Sequence, residues 1–97
     1  MVESMFQKKL KKELKEKFPE CIIYKTDSQQ MQGSPDLLIL NRDKWAALEV
    51  KKDANAPHRP NQDYRVKHMN EMSYASFIFP ENKETIFHDL ERLFKAT

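Results

Sequence analysis

Residues 33–51 of this chain read GSPDLLILNRDKWAALEVK, and they decide how the rest of the sequence can fold. The apolar residues 37–40 predict a strand over 36–40 that Pro35 can open, because proline is tolerated at the first position of a strand. The polar residues 41–44 predict a turn without glycine, and 45–52 predicts the next strand. Two strands joined by such a short turn predict an antiparallel hairpin.

The hairpin brings two acidic side chains together. With the turn centred between Arg42 and Asp43, Asp36 lies directly opposite Glu49, where like charges repel. Lys51 shares the face of Glu49, because side chains alternate along a strand. One carboxylate must therefore take up a proton or find a cation, and Mg²⁺ fits because it prefers oxygen ligands. The alternative is that the second strand of the hairpin is a sheet edge with its charges in water.

Upstream of the hairpin, the sequence predicts a helix and one further strand. Apolar residues recur every four positions over 6–18, and Pro19 ends the series. Residues 21–25 are rich in β-branched and aromatic side chains, which predicts a strand, and the polar residues 27–33 predict a loop.

Downstream of the hairpin, 53–60 predicts a loop, 61–72 a helix and 74–79 a fourth strand. Asn82 can cap a last helix, whose apolar stripe occupies 86–94. The order α-β-β-β-α-β-α predicts an α/β (α+β) fold. Its central sheet should be mixed, because the second helix is long enough to cross over to the fourth strand.

The composition limits the kind of protein further. The 97 residues allow a single domain, 1–97, with one small core. One glycine excludes Walker and dinucleotide-binding loops, and one cysteine excludes internal disulfides and cysteine-rich zinc sites. No apolar segment approaches the ~20 residues that span a bilayer, and the N-terminus lacks an apolar signal core, so we expect a cytoplasmic protein without membrane contact.

The net charge of +2 is unevenly distributed. Residues 1–17 and 42–70 each carry +3, whereas 18–41 and 71–97 each carry −2. The positive segments should flank the carboxylates of the hairpin, which predicts a surface for phosphate groups. The single glycine, Gly33, lies just before the first of these carboxylates, where we expect a positive φ or a close approach of the backbone to a phosphate.

The motifs of this region resemble those of the PD-(D/E)XK nuclease superfamily. GSPD at 33–36, EVK at 49–51 and a downstream Gln62 are similar to the VRR-NUC branch, which has Gly-x-Pro-Asp, Glu-x-Lys and Gln in this order. The similarity extends over about 3–79 and departs at Ser73, where the family often has glycine. It implies a restriction-endonuclease-like αβββαβ core, here followed by a C-terminal helix.

The resemblance also implies roles for the residues of the hairpin. Asp36 and Glu49 would bind Mg²⁺, which Mn²⁺ should replace, and the Val50 carbonyl would be a possible third ligand. Lys51 would position the attacking water or stabilise charge on the phosphate. The alternative for this residue is a solvated strand lysine.

Two further catalytic residues are implied by the same resemblance. Gln62 would hydrogen-bond a phosphate or a metal-bound water, unless it only satisfies the backbone at the start of its helix. Glu3 would supply the acidic residue of the first helix, on its core side. Glu13 has the same helical phase and is its rival, and both are otherwise ordinary surface glutamates.

Four basic residues could contact the DNA backbone: Lys52, Arg59, Arg65 and Lys67. Each of them is otherwise a solvent-exposed charge. His58, His68 and His88 lack the spacing of a metal or triad motif, which predicts surface or packing residues.

These features together predict a Mg²⁺-dependent DNA endonuclease. Similarity to Holliday-junction resolvases implies a homodimer that cuts branched DNA in a structure-selective way, since a two-fold axis suits two equivalent strands. No small-molecule cofactor is expected. The alternatives are a non-catalytic nucleic-acid-binding module or partner subunit on the same fold, and a small regulator without nucleic acid.

Overall fold

The computed structural model describes residues 2–26 and 33–95. Its helices are α1 (Glu3–Lys17), α2 (Gln62–Met72) and α3 (Lys83–Lys95), and its strands are β1 (Ile22–Lys25), β2 (Leu37–Asn41), β3 (Lys44–Val50) and β4 (Ala75–Ile78). The predicted element order is confirmed, with a short 3-10 turn added before α3. Of the loop predicted over 27–33, only Gly33 lies within the described residues.

The four strands form one sheet in the order β1-β2-β3-β4. The first three strands are antiparallel neighbours, and β4 pairs with β3 in parallel after the crossover through α2. The predicted mixed sheet is therefore confirmed. The hairpin has the predicted register, with Leu38 opposite Ala47 and Leu40 opposite Trp45. The edge-strand alternative is wrong, because β3 has a neighbour on each side.

Helices cover the two faces of the sheet unequally. The core of the first face holds the apolar stripes of α1 and α3, including Leu10, Leu14 and Leu90, which are fully buried. On the second face Val66 of α2 packs against Ala47 and Ala75. These small residues let α2 lie close to the sheet, beside the carboxylates of the hairpin. Within the described residues, no helix is long and apolar enough to cross a membrane.

The hairpin strands are shorter than predicted at the end that holds the acidic residues. Ladder pairing stops at Leu37 opposite Leu48, one residue after Asp36. The reason is that the Val50 amide donates to the Asp36 side chain, at 2.9 Å between N and Oδ2. A side chain thus replaces a backbone acceptor, and the sheet ends where the candidate site begins.

Candidate active site

The approach to β2 requires the only glycine of the chain. Gly33 has a φ of 85°, and a Cβ placed there would lie 2.8 Å from the backbone of Asn61. The loop before β2 therefore touches the start of α2. Thr26 fixes the next residues, since its amide donates to the Asp36 carbonyl and its hydroxyl to the Pro35 carbonyl. This confirms the positive φ expected for the glycine, whereas its close approach to a phosphate stays a prediction.

The two acidic residues lie on the α2 side of the sheet. Glu49 is only 4% exposed, because β3 is flanked by β2 and β4 and its face is covered by α2. Asp36 is half-buried at the entrance to β2. Period-two alternation places their side chains on the same face, as the register of the hairpin requires.

Burial perturbs the Glu49 carboxyl strongly. Its pKa is raised from 4.5 to about 8, chiefly by loss of solvation and then by the negative charge of Asp36, while Lys51 acts in the opposite direction. The oxygen Oε1 of Glu49 is buried and has no hydrogen-bond partner among the described residues. A buried acceptor without a donor is unfavourable, so this atom is available for a proton or a cation.

Lys51 and Gln62 form a buried polar cluster with Glu49. Lys51 Nζ donates to Gln62 Oε1 at 2.8 Å and lies 3.9 Å from Glu49 Oε2. Gln62 Nε2 donates to Glu49 Oε2 at 2.8 Å. Lys51 and Gln62 are 6% and 4% exposed, so neither is a solvated surface residue. The structure therefore contradicts the alternative of a solvated strand lysine.

Gln62 connects the cluster to the preceding loop. Its Oε1 also accepts from the Arg59 amide at 2.8 Å, a local backbone contact of the kind expected at a helix start. The same side chain thus serves the backbone and the carboxylate at once. The contact with the backbone that the sequence allows for Gln62 is therefore observed, while a hydrogen bond to a phosphate or a metal-bound water stays a prediction.

The choice between the two glutamates of α1 follows from their surroundings. Glu13 forms an ion pair with Lys83, at 2.8 Å between Oε2 and Nζ. It does not line the cleft that contains Asp36 and Glu49. Glu3 lies at the rim of the cleft and its charge acts on Glu49. The Glu3 side chain is exposed to solvent, unlike the buried Glu49.

These residues surround one cleft, the candidate site, with a volume of about 230 Å³. Its lining residues are Glu3, Gly33, Ser34, Asp36, Glu49, Lys51, Arg59, Pro60 and Gln62. All five residues predicted to be catalytic are among them. A larger cleft of about 520 Å³ lies at the hairpin turn, but its Glu20 is exposed and paired with Arg42.

The four basic residues are distributed differently from the prediction. Arg59 lines the candidate site, and Lys52 lines a second cleft that adjoins it. Arg65 is half-buried beside an apolar hollow of about 240 Å³. Its Nε is shielded from solvent and has no hydrogen-bond partner among the described residues. Lys67 is exposed on α2 and lines neither cleft. The structure thus brings one of the four to the candidate site and a second to the adjoining cleft.

The donor set can be compared with the needs of a divalent cation. The described residues contain no cluster of three or more histidine, cysteine, aspartate or glutamate side chains suited to a metal ion. They do offer the Asp36 and Glu49 carboxylates, with the partnerless Oε1 of Glu49. Mg²⁺ is commonly held by one or two carboxylates together with water and substrate phosphate. Two carboxylates in an open cleft therefore fit Mg²⁺, and do not fit an all-protein cage.

Comparison with known proteins identifies the fold. No family model and no curated protein sequence matches this chain. A solved structure described as "VRR_NUC domain protein" superimposes with a TM-score of 0.70 over 96% of this chain and 90% of that chain, at 20% sequence identity. The chain therefore has the VRR-NUC type of restriction-endonuclease-like fold, as the motifs predicted. At this identity, the likeness concerns the fold alone.

Proposed function

We propose that this protein is a metal-dependent nuclease that hydrolyses phosphodiester bonds in DNA. The observation that carries the proposal is the pair of carboxylates, Asp36 and Glu49, held on one face beside a buried Lys51. This arrangement destabilises the metal-free fold, since burial and repulsion by Asp36 both oppose ionisation of Glu49. Departures of this kind from local rules concentrate at functional sites.

Asp36 and Glu49 are the residues that would hold Mg²⁺, or Mn²⁺ in its place, with the Val50 carbonyl as a third ligand. When bound, the metal would polarise the scissile phosphate and lower the pKa of a coordinated water. Neighbouring groups of the chain already hold both carboxylates in position. Asp36 is oriented by the Val50 amide, and Glu49 by the side chain of Gln62.

Lys51 supplies the positive charge of the site. Its buried ammonium is fixed by the Gln62 side chain and by the Pro57 carbonyl, at 3.0 Å. A cation that is already oriented and desolvated can stabilise developing negative charge without reorganisation. We assign to Lys51 the stabilisation of the phosphate or the orientation of the attacking water, and to Gln62 the positioning of Lys51. Glu3 is assigned to the rim of the same cleft.

We further propose that the substrate is branched DNA and that the enzyme is a homodimer. Arg59 and Lys52 supply backbone contacts, and a domain of this size has little surface with which to read bases. The support for a second copy is an uncovered part of the sheet. Ile22 and Tyr24 are 53% and 55% exposed on the face that α2 covers elsewhere. A two-fold dimer would present two sites to two equivalent strands.

The proposal is tested by incubating the protein with linear duplex, single-stranded, flapped and four-way DNA, in Mg²⁺ or in EDTA. Cleavage is expected only in Mg²⁺, with four-way DNA cut fastest, and Asp36→Asn is expected to abolish it. Asp43→Asn, an exposed aspartate at the hairpin turn, is the matched control and should leave cleavage unchanged. Cleavage in EDTA or by Asp36→Asn refutes the metal site, and salt-sensitive binding without cleavage supports a binding module.

A further inference from the structure

A second cleft of about 290 Å³ adjoins the candidate active site and shares Glu3, Lys51 and Arg59 with it. Its remaining lining residues are Lys52, Ala56, Pro57 and His58. Of all seven residues that line this cleft, Lys51, Lys52 and Arg59 carry a fixed positive charge, and Glu3 carries a negative charge. A continuous path with excess positive charge therefore leads away from the carboxylates, along the loop between β3 and α2.

The loop that forms this cleft is held by residues of the active site. Lys51 Nζ donates to the carbonyl of Pro57, and Gln62 accepts from the amide of Arg59. These two contacts lie on either side of His58. The position of the histidine is thus fixed by the same two side chains that surround Glu49, so its place relative to the site is built into the fold.

The His58 ring itself is oriented by two neighbours. Nδ1 lies 2.7 Å from Asp63 Oδ1 at the start of α2. The ring stacks on Phe77 of β4, with centroids 4.1 Å apart and planes inclined by 15°. The histidine side chain is 37% exposed, and the described residues give Nε2 no hydrogen bond. An imidazole held at one nitrogen and on one face offers its other nitrogen to the cleft.

We propose that His58 binds the DNA phosphate next to the scissile phosphate, and that Asp63 and Phe77 position its ring for this contact. The inference rests on the proposed nuclease function and defines which way the substrate backbone leaves the active site. Both ring nitrogens must donate for this arrangement, Nδ1 to Asp63 and Nε2 to phosphate, which requires the imidazolium form. Such a charge-assisted contact is stronger than one between neutral groups.

The test uses His58→Ala and His58→Phe, of which the second keeps an aromatic ring on Phe77. The matched control is His88→Ala, which removes an exposed histidine from α3 on the opposite face of the sheet. Dissociation constants for duplex DNA are measured in EDTA over a range of salt concentrations. Binding in EDTA requires no cleavage, so it remains measurable even if the catalytic assignment is wrong.

Loss of one phosphate contact should lower the slope of log Kd against log salt by about 0.9, which corresponds to about eightfold weaker binding at 0.1 M salt. Both His58 variants should show this loss, because neither alanine nor phenylalanine can donate to the phosphate. In Mg²⁺, KM should rise by a similar factor with kcat unchanged, since the contact exists in ground and transition states alike. His88→Ala should match the wild type.

Three results would overturn the inference. One is an unchanged salt slope in both His58 variants while the wild type binds and cuts DNA, which leaves the proposed function intact. Another is a loss in His58→Ala alone, with His58→Phe binding like the wild type, which indicates a packing role for the ring. Absence of any DNA binding by the wild type would refute the subsite and the nuclease together.

Discussion

Replacing Glu49 by glutamine should stabilise the metal-free protein. Burial and the neighbouring Asp36 raise the pKa of Glu49 from 4.5 to about 8, so ionisation of this group is far less favourable in the folded chain than in the unfolded chain. Glutamine has the shape of the protonated carboxyl. Its oxygen can still accept from Gln62 Nε2, and its amide nitrogen can donate to the Asp36 carboxylate.

The size of the effect follows from the two pKa values. At pH 7 the unfolded chain has released the Glu49 proton, whereas the folded chain retains most of it. The ionisation therefore favours the unfolded chain by about 3 kcal/mol at pH 7, and by under about 1 kcal/mol at pH 5. Because the folded pKa is the higher one, the stability that this group contributes is present below pH 4.5 and is lost as pH rises towards 8.

Thermal and urea denaturation in EDTA measure this difference. For a chain of this length, Glu49→Gln should raise Tm by roughly 10–20 °C at pH 7, and by a few degrees at pH 5. Glu71→Gln, at an exposed position of α2, is the control and should change stability by less than about 0.5 kcal/mol. Addition of Mg²⁺ should stabilise the wild type and leave Glu49→Gln unaffected.

The reasoning is refuted if Glu49→Gln is less stable than the wild type at pH 7. It is also refuted if the difference between the two proteins does not shrink from pH 7 to pH 5. Either result would mean that the contacts of ionised Glu49 stabilise the folded chain by more than the burial of its charge destabilises it.

The other predictions concern the cluster and its entry loop. Lys51→Met should lower the single-turnover rate of DNA cleavage about 100-fold or more by removing the oriented cation, while DNA affinity in EDTA changes little; an unchanged rate would exclude its assigned role. Gln62→Leu should destabilise the fold by about 1–3 kcal/mol in urea denaturation, because Lys51 and Glu49 each lose a buried hydrogen-bond partner. A variant as stable as the wild type would show that water replaces the Gln62 amide. Gly33→Ala should cost about 2 kcal/mol or more by the same measurement, since it combines a positive φ with a clash against Asn61, and no loss would show that the loop relaxes freely.

Much of the fold could be predicted from local patterns. The hairpin register followed from one glycine-free turn and the alternation of apolar residues, and it placed Asp36 and Glu49 on one face. The position of β3 within the sheet could not be obtained in this way. The parallel partner β4 arrives only after the crossover through α2, so the sequence of β3 alone allowed an edge strand as well as a central one.

The candidate site was predictable where its residues share an element and unpredictable where distant elements meet. The sequence leaves both Glu3 and Glu13 of α1 as candidates, and they are separated only when the fold pairs Glu13 with Lys83 and places Glu3 beside Glu49. His58 lacks the spacing of a metal or triad motif, which predicts a surface or packing residue, and its contacts with Asp63 and Phe77 arise only in the fold. The one available signal was its place in the loop between the Glu-x-Lys motif and Gln62.

Titration of the metal-free protein with Mn²⁺, followed by calorimetry, tests the central claim most directly. The claim is that Asp36 and Glu49 together hold a divalent cation. The wild type and Asp43→Asn should each bind a single Mn²⁺ ion per chain, more tightly at pH 8 than at pH 6 because the cation competes with the proton on Glu49. Asp36→Asn should lose this binding. Equal binding by Asp36→Asn and the wild type, or none by the wild type, would contradict the account.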